Sequence, residues 1–177
     1  GISKLIGMTG RGAYKKTGAW DHVTKAFAEN GITYVHYDQV TPNPNTHHVN
    51  EAAKMAADFG AQAMLAIGGG SAIDAGKSVA ILMKNPGKTA EELYEFQFTP
   101  TEAAPIIAIN LTHGTGSEAN RFAVVSIEEK NFKPAIAYDC IYPLYSIDDP
   151  ALMTGLAENQ TRYVSIDAVN HVVEAST

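Results

Sequence analysis

The sequence predicts an α/β fold, a doubly wound parallel sheet of the Rossmann-like kind, on three observations. Short apolar runs alternate with segments of helical period, a triple glycine follows directly on one of those runs, and a second glycine- and hydroxyl-rich loop follows another. Strand, helix, strand, helix, strand, helix in that order calls for parallel pairing through right-handed crossovers, which places helices on both faces of the sheet.

The strands are predicted at Lys4 to Thr9, Thr33 to Tyr37, Ala63 to Ile67, Ile106 to Ile109 and Leu144 to Ile147, each rich in branched or aromatic residues. Between the first two, Ala19 to Asn30 carries Trp20, Val23, Ala26 and Phe27 at spacings of three and four and stops at Gly31. Thr46 to Phe59 repeats the pattern and stops at Gly60. Thr41-Pro42-Asn43-Pro44-Asn45 is expected to be a rigid turn, its prolines holding the preceding residues extended. A β-hairpin is expected around Phe122 to Ala137, turning at Glu128-Glu129-Lys130-Asn131, and a last helix from about Asn159. Pro150 and Gly155 punctuate the chain before it, which puts a boundary near Asp149-Pro150.

Composition narrows the function classes. Of 177 residues, 45% are apolar and 18% charged, and no apolar run approaches the length of a membrane helix. A formal charge of −6 without clustered Lys and Arg leaves no footprint for a nucleic-acid backbone. Cys140 is the single cysteine, so no intramolecular disulfide can form, and a reducing, cytoplasmic setting is the default expectation. Gly1-Ile2-Ser3-Lys4 enters a strand at once and Glu174-Ala175-Ser176-Thr177 stops inside a helical pattern, so both ends read as cuts through a larger protein.

Three segments carry chemistry. Ala66-Ile67-Gly68-Gly69-Gly70-Ser71 passes from a buried strand into a helix start, where bare backbone amides and the positive end of the helix dipole suit a pyrophosphate. The competing reading is a plain capping box from Ser71 and Asp74, which would satisfy the same amides. His113-Gly114-Thr115-Gly116-Ser117-Glu118 is a second loop at a strand's carboxyl end, where doubly wound sheets place their ligands; alone it could equally be an ordinary polar turn. Asp167 and His171, four apart on a helix, share a face and can hold a divalent ion such as Fe²⁺ or Zn²⁺, although such a pair is also common on solvated surfaces. His22, His36, His47 and His48 are expected to pack around the first domain, with His47 and His48 facing solvent.

Gly68-Gly69-Gly70-Ser71-Ala72-Ile73-Asp74-Ala75-Gly76-Lys77, then Thr112-His113-Gly114-Thr115-Gly116-Ser117-Glu118, then Ile166-Asp167-Ala168-Val169-Asn170-His171-Val172-Val173-Glu174, resemble in order and spacing the iron-containing alcohol dehydrogenase family, and the resemblance runs over nearly the whole chain. It implies a metal- and NAD(P)-dependent oxidoreductase of alcohols and aldehydes, with residues 1–149 as the dinucleotide-binding domain and 150–177 beginning a helical metal-binding domain. By the same resemblance Gly69, Gly70 and Ser71 hold the pyrophosphate, Asp74 lies toward the nicotinamide, Thr112, Thr115 and Ser117 line the facing wall, and Asn43 and Lys133 touch the cofactor. Asp167 and His171 match the first two metal ligands. The two further histidines that the family implies are not among these residues, so the chain alone is expected to bind nucleotide without turnover.

Two departures from the family bear on specificity. In Thr9-Gly10-Arg11-Gly12-Ala13-Tyr14-Lys15-Lys16, Gly10 stands where NAD-preferring members often carry an acidic residue, and Arg11, Lys15 and Lys16 can pair with a 2′-phosphate, which favours NADP(H) over NAD(H). His113 stands where the family has a small residue, an expected change in the cofactor wall. Glycerol dehydrogenase or dehydroquinate synthase-like enzymes on the same scaffold, and a noncatalytic nucleotide-binding module, are the alternatives. Self-association into a homo-oligomer is a further expectation, since a cut at Thr177 exposes apolar helix faces.

Overall fold

The computed structural model describes residues 1–176; Thr177, where the sequence reading placed a cut, lies outside the described residues. Its main sheet has five strands in the order β2-β1-β3-β4-β7, where β1 is Lys4–Gly10, β2 Thr33–Val40, β3 Ala63–Gly68, β4 Ile106–Asn110 and β7 Tyr145–Ile147. Every pairing in it is parallel, with Leu5 opposite Ala63, Met64 opposite Ile106 and Ile107 opposite Tyr145. The chain winds outward from β1 to β2, then returns past β1 to β3. The topological switch therefore falls between β1 and β3, whose carboxyl ends are Gly10 and Gly68.

Alternation along β3 shows how both faces are covered. Met64 and Ala66 join a core with Val49 and Ala52 of α3 (Thr46–Phe59) and Ile73 and Val79 of α4 (Gly70–Lys84). Ala63, Leu65 and Ile67 point the other way, toward Tyr14 of the single turn α1 (Ala13–Lys16) and Ala19, Val23 and Phe27 of α2 (Ala19–Glu29). All of β3 is buried, as expected for the central strand of a parallel sheet with helices on both sides. Gly76 lets α4 press onto this strand: a Cβ there would lie 2.6 Å from Met64 Cε.

The expected hairpin forms from β5 (Phe122–Val124) and β6 (Ala135–Ala137), antiparallel, with a short 3-10 turn at Glu128–Lys130 between them. The short α5 (Ala90–Tyr94), which the sequence reading did not include, starts at a reciprocal cap between Thr89 and Glu92. α6 (Glu158–Ser176) closes the described chain and buries only Val164 against the body.

Two local expectations fail. Asn43 precedes Pro44 yet is not extended: its φ is 57°, a left-handed conformation that Asn tolerates, and its side-chain oxygen accepts from Lys133 Nζ at 2.6 Å. His48 is half-buried rather than solvent-facing, because it caps α3 reciprocally with Asn45: the Asn45 amide donates to His48 Nδ1 at 3.3 Å and the His48 amide to Asn45 Oδ1 at 3.0 Å. His47 is exposed as expected.

Candidate functional site

Strand β3 runs into helix α4 through Gly69, which stands at the N-cap and offers no side chain, and no other side chain caps the helix. The amides of Gly70 and Ser71 are thus left for a partner from the cleft that both residues border. The alternative capping box between Ser71 and Asp74 does not form. Asp74 sits a turn into α4, and its Oδ2 accepts instead from the Val124 amide of β5 at 2.9 Å.

The glycines have a second cause that the sequence hid. A Cβ on Gly69 would lie 2.7 Å from Thr112 Oγ1, and one on Gly70 would lie 2.8 Å from Thr115 Cγ2. The two loops interlock, so any side chain on the first displaces the second.

The cleft has two compartments that share Gly70, Ser71 and Thr115. The first, of about 480 Å³, reaches from these residues past Thr112 to Gly10 and Arg11 at the end of β1 and Thr41 beyond β2. Gly12, the N-cap of α1, does not border it, and Lys15 and Lys16 are exposed on α1. Lys15 Nζ lies 5.3 Å from the Tyr14 ring centroid, so of the three cations grouped in the sequence only Arg11 faces this space.

The second compartment, of about 700 Å³, collects Asp74, Ser117 and Asn120 on one side, Asn43 and Lys133 on another, and Asp167 and His171 from α6. Residues up to 128 positions apart in the chain, Asn43 and His171, thereby meet around one space. Asp74 is 9% exposed and its Oδ1 has no hydrogen-bond partner among the described residues. Burial pushes its carboxyl above the usual carboxylate range, against the lowering effect of the Val124 amide, the Ser117 hydroxyl and the Lys77 and Lys133 charges.

Asp167 Oδ1 lies 3.6 Å from His171 Nε2, and both side chains are about half exposed to the cleft. An oxygen and a nitrogen donor one helical turn apart suit a divalent ion, but no group of three or more such residues occurs among the described residues. These residues therefore fit half of a metal site. His113 departs from expectation: it is not on the cleft wall, and its Nε2 is 2.9 Å from Ser165 Oγ on α6.

A family profile described as iron-containing alcohol dehydrogenase matches residues 1–150. The chain belongs to the iron-containing alcohol dehydrogenase family. Among individual relatives, it is 58% identical over 177 residues to a long-chain primary alcohol dehydrogenase of Thermoanaerobacter ethanolicus, covering all of this chain and 44% of that protein. It is 31% identical to NADH-dependent butanol dehydrogenase A of Clostridium acetobutylicum, over 98% of this chain and 44% of that one. Among solved structures, NADH-dependent butanol dehydrogenase A of Thermotoga maritima superposes with a TM-score of 0.93 at 32% identity, over 98% of this chain and 43% of that one. The chain thus spans less than half the length of these relatives. Its family is one of oxidoreductases, and none of the chain's described helices is long and apolar enough to cross a membrane.

Several cleft residues escaped sequence reading: Thr41, Asn120, Phe122, Val124 and Gln160 on the walls, and Lys77 behind them. Only Lys77 left a signal, the single charge in a stretch from Ala75 to Leu82 whose other residues are apolar or small, which asks for a buried acceptor. The others lie on β5, on α6 or on loops, and their meeting is decided by how those segments pack over the sheet rather than by any local pattern.

Proposed function

We propose that this chain is the nucleotide-binding part of a metal-dependent alcohol dehydrogenase that moves hydride between an alcohol or aldehyde and a nicotinamide dinucleotide. The observation that carries the reading is the uncapped α4 start at Gly70 and Ser71, standing between a compartment that ends on Arg11 and one that ends on Asp167 and His171. A dinucleotide has that shape, with a diphosphate between two nucleosides. Residues 1–149 form the binding domain in this reading, and 150–177 begin the helical, metal-binding one. The setting is cytoplasmic.

The amides of Gly70 and Ser71, with Gly69 keeping the approach open, receive the diphosphate at the positive end of α4. Thr112, Thr115 and Ser117 supply hydroxyls from the facing loop, and Lys133, steadied by Asn43, brings a cation to the second compartment. Asp74 Oδ1, buried and unpaired, accepts a hydrogen bond from the nicotinamide nucleoside. Asp167 and His171 donate two ligands to Fe²⁺ or Zn²⁺, which when bound would lower the pKa of the alcohol oxygen while the dinucleotide supplies the hydride acceptor. At the other end Arg11, with no carboxylate at Gly10, favours the 2′-phosphate of NADP(H), whereas two relatives bear NADH in their names.

Fluorescence titration of the chain with NADPH and NADH tests this. Saturable binding with NADPH the tighter ligand is expected, and a flat curve at millimolar concentration of both would overturn it. With two metal donors the chain by itself is a noncatalytic nucleotide module, so alcohol oxidation is expected to be undetectable.

A further inference from the structure

Lys77 lies two turns along α4 from Gly70 and has no exposed surface. An ammonium leaves water only where acceptors replace it. Three do so here: Asn120 O at 2.7 Å, Asn120 Oδ1 at 3.1 Å and Phe122 O at 2.8 Å. All three N–H groups are engaged, so none remains for a ligand.

Asn120 passes the hold onward. Its Oδ1 also accepts from the Phe122 amide at 2.9 Å, and its Nδ2 donates to the Thr115 carbonyl at 3.4 Å. Two residues further on, the Val124 amide reaches Asp74 Oδ2. One buried cation thereby fixes Thr115, which faces Gly70 and borders both compartments, and the strand that orients Asp74, which borders the second alone. None of these bonds reaches Gly10, Arg11, Thr41 or Thr112 on the first.

We propose that Lys77 is a positioning residue for the nicotinamide half of the cofactor: clamping residues 120–122, it holds β5 and, through the Val124 amide, keeps the buried Asp74 carboxyl in place beside the second compartment. This rests on the nucleotide reading above. The assignment of halves follows from the metal-ligand pair, since hydride can pass only where the nicotinamide lies beside the alcohol, and Asp167 and His171 border the second compartment alone.

Loss of the clamp separates two ligands that a general loss of stability would weaken together. NADH and ADP share the adenosine diphosphate and differ by the nicotinamide nucleoside. In Lys77→Met the NADH Kd is expected to rise about tenfold and the ADP Kd by less than about twofold, with Lys77→Arg recovering part of the NADH loss. Equal weakening of both ligands, or of neither, overturns the proposal. Failure of the unaltered chain to bind either ligand would overturn the nucleotide reading as well, so the two failures are distinguishable.

Where Lys77→Met shows no cooperative thermal transition, the same ratio is read in the unaltered chain from about pH 7 to about pH 10, across the range of a buried lysine. Burial pushes Lys77 down to about 8, while Asp74 on α4 and Glu118 in the turn after the second loop hold it up. Tyr94 of α5 meets the same stretch of helix through Ser78, 2.7 Å away. Deprotonation removes one of the three donors, so the preference for NADH over ADP is expected to fall; a constant ratio overturns the proposal.

Discussion

Gly114 and Val164 meet backbone to backbone: a Cβ on Gly114, whose φ is 114°, would stand 2.4 Å from the Val164 carbonyl oxygen and 3.1 Å from Asp167 Oδ2. The loop that faces the glycine turn and the helix that bears Asp167 and His171 therefore touch at a position where only glycine fits. Gly114→Ala is expected to push α6 off the loop and to cost about 1–3 kcal/mol through strain at a positive φ. Urea unfolding with an unchanged m-value checks the cost, and an unaltered midpoint would refute the contact's importance.

At Gly70 the same logic gives a functional loss without a global one. A Cβ there meets only the side chain of Thr115, an exposed residue whose rotamer can change, so Gly70→Ala should leave the fold intact. Displacing Thr115 and crowding the free amides should weaken nucleotide binding by about tenfold or more, since a diphosphate needs those donors at hydrogen-bond distance. Calorimetric titration with NADPH reads this directly.

Asp74 joins stability to function through its raised pKa. A carboxyl whose folded pKa exceeds its unfolded value favours the protonated form in the fold, so its contribution to stability is present at low pH and is lost as pH rises through the folded pKa. Burial thus makes the ionised form of this group the costly one. Asp74→Asn keeps an acceptor for the Val124 amide and removes the charge; it is expected to hold or raise the melting temperature at pH 7, by up to about 1 kcal/mol in stability, while weakening NADH binding. A large drop in melting temperature would contradict this account.

His36 and His48 shift the other way. Burial lowers both, most of all through the packing of His36, which stacks on Trp20 at 4.2 Å and bonds Thr9 Oγ1 at 2.9 Å. Below about pH 6.5 the unfolded chain takes up protons that the folded chain refuses, so stability falls on acidification through that range. His36→Phe keeps a ring for the stack and should flatten part of the slope in melting temperature between pH 7 and pH 5, taken here as rough limits of histidine titration.

Asp167 and His171 should behave as an incomplete ligand set. A divalent ion is expected to raise the melting temperature of the chain only slightly, by mass action at weak affinity, and His171→Ala should abolish that rise without changing nucleotide affinity more than about twofold. Thermal scans with and without Zn²⁺ distinguish this from a complete site.

The parts legible in sequence are those where local chemistry decides. α3 occupies the range its pattern gave, Thr46–Phe59, because Asn45 caps it and Gly60 takes the left-handed turn that ends it. β3 and β4 agree to within one residue because a central parallel strand must be apolar on both faces. What stayed hidden depends on distance in the chain. The acceptors of Lys77 cannot be named until β5 is laid over α4, and nothing near Asp74 names Val124, fifty residues away, as its partner. Asn43 broke the rule for a residue before proline, and its partner Lys133, in the connection between β5 and β6, is ninety residues away in the chain.

All strands of the main sheet point the same way, so every loop with a chemical duty rises from one rim. The opposite rim is made of tight bends at Gly31, Gly60 and Gly87, each with a positive φ and with no cleft residue beside it. Lys84, exposed at the end of α4 on this side, brings its own amine, which makes it a natural place to attach a label or a surface tether. A molecule anchored by that end would present its whole working edge to solution.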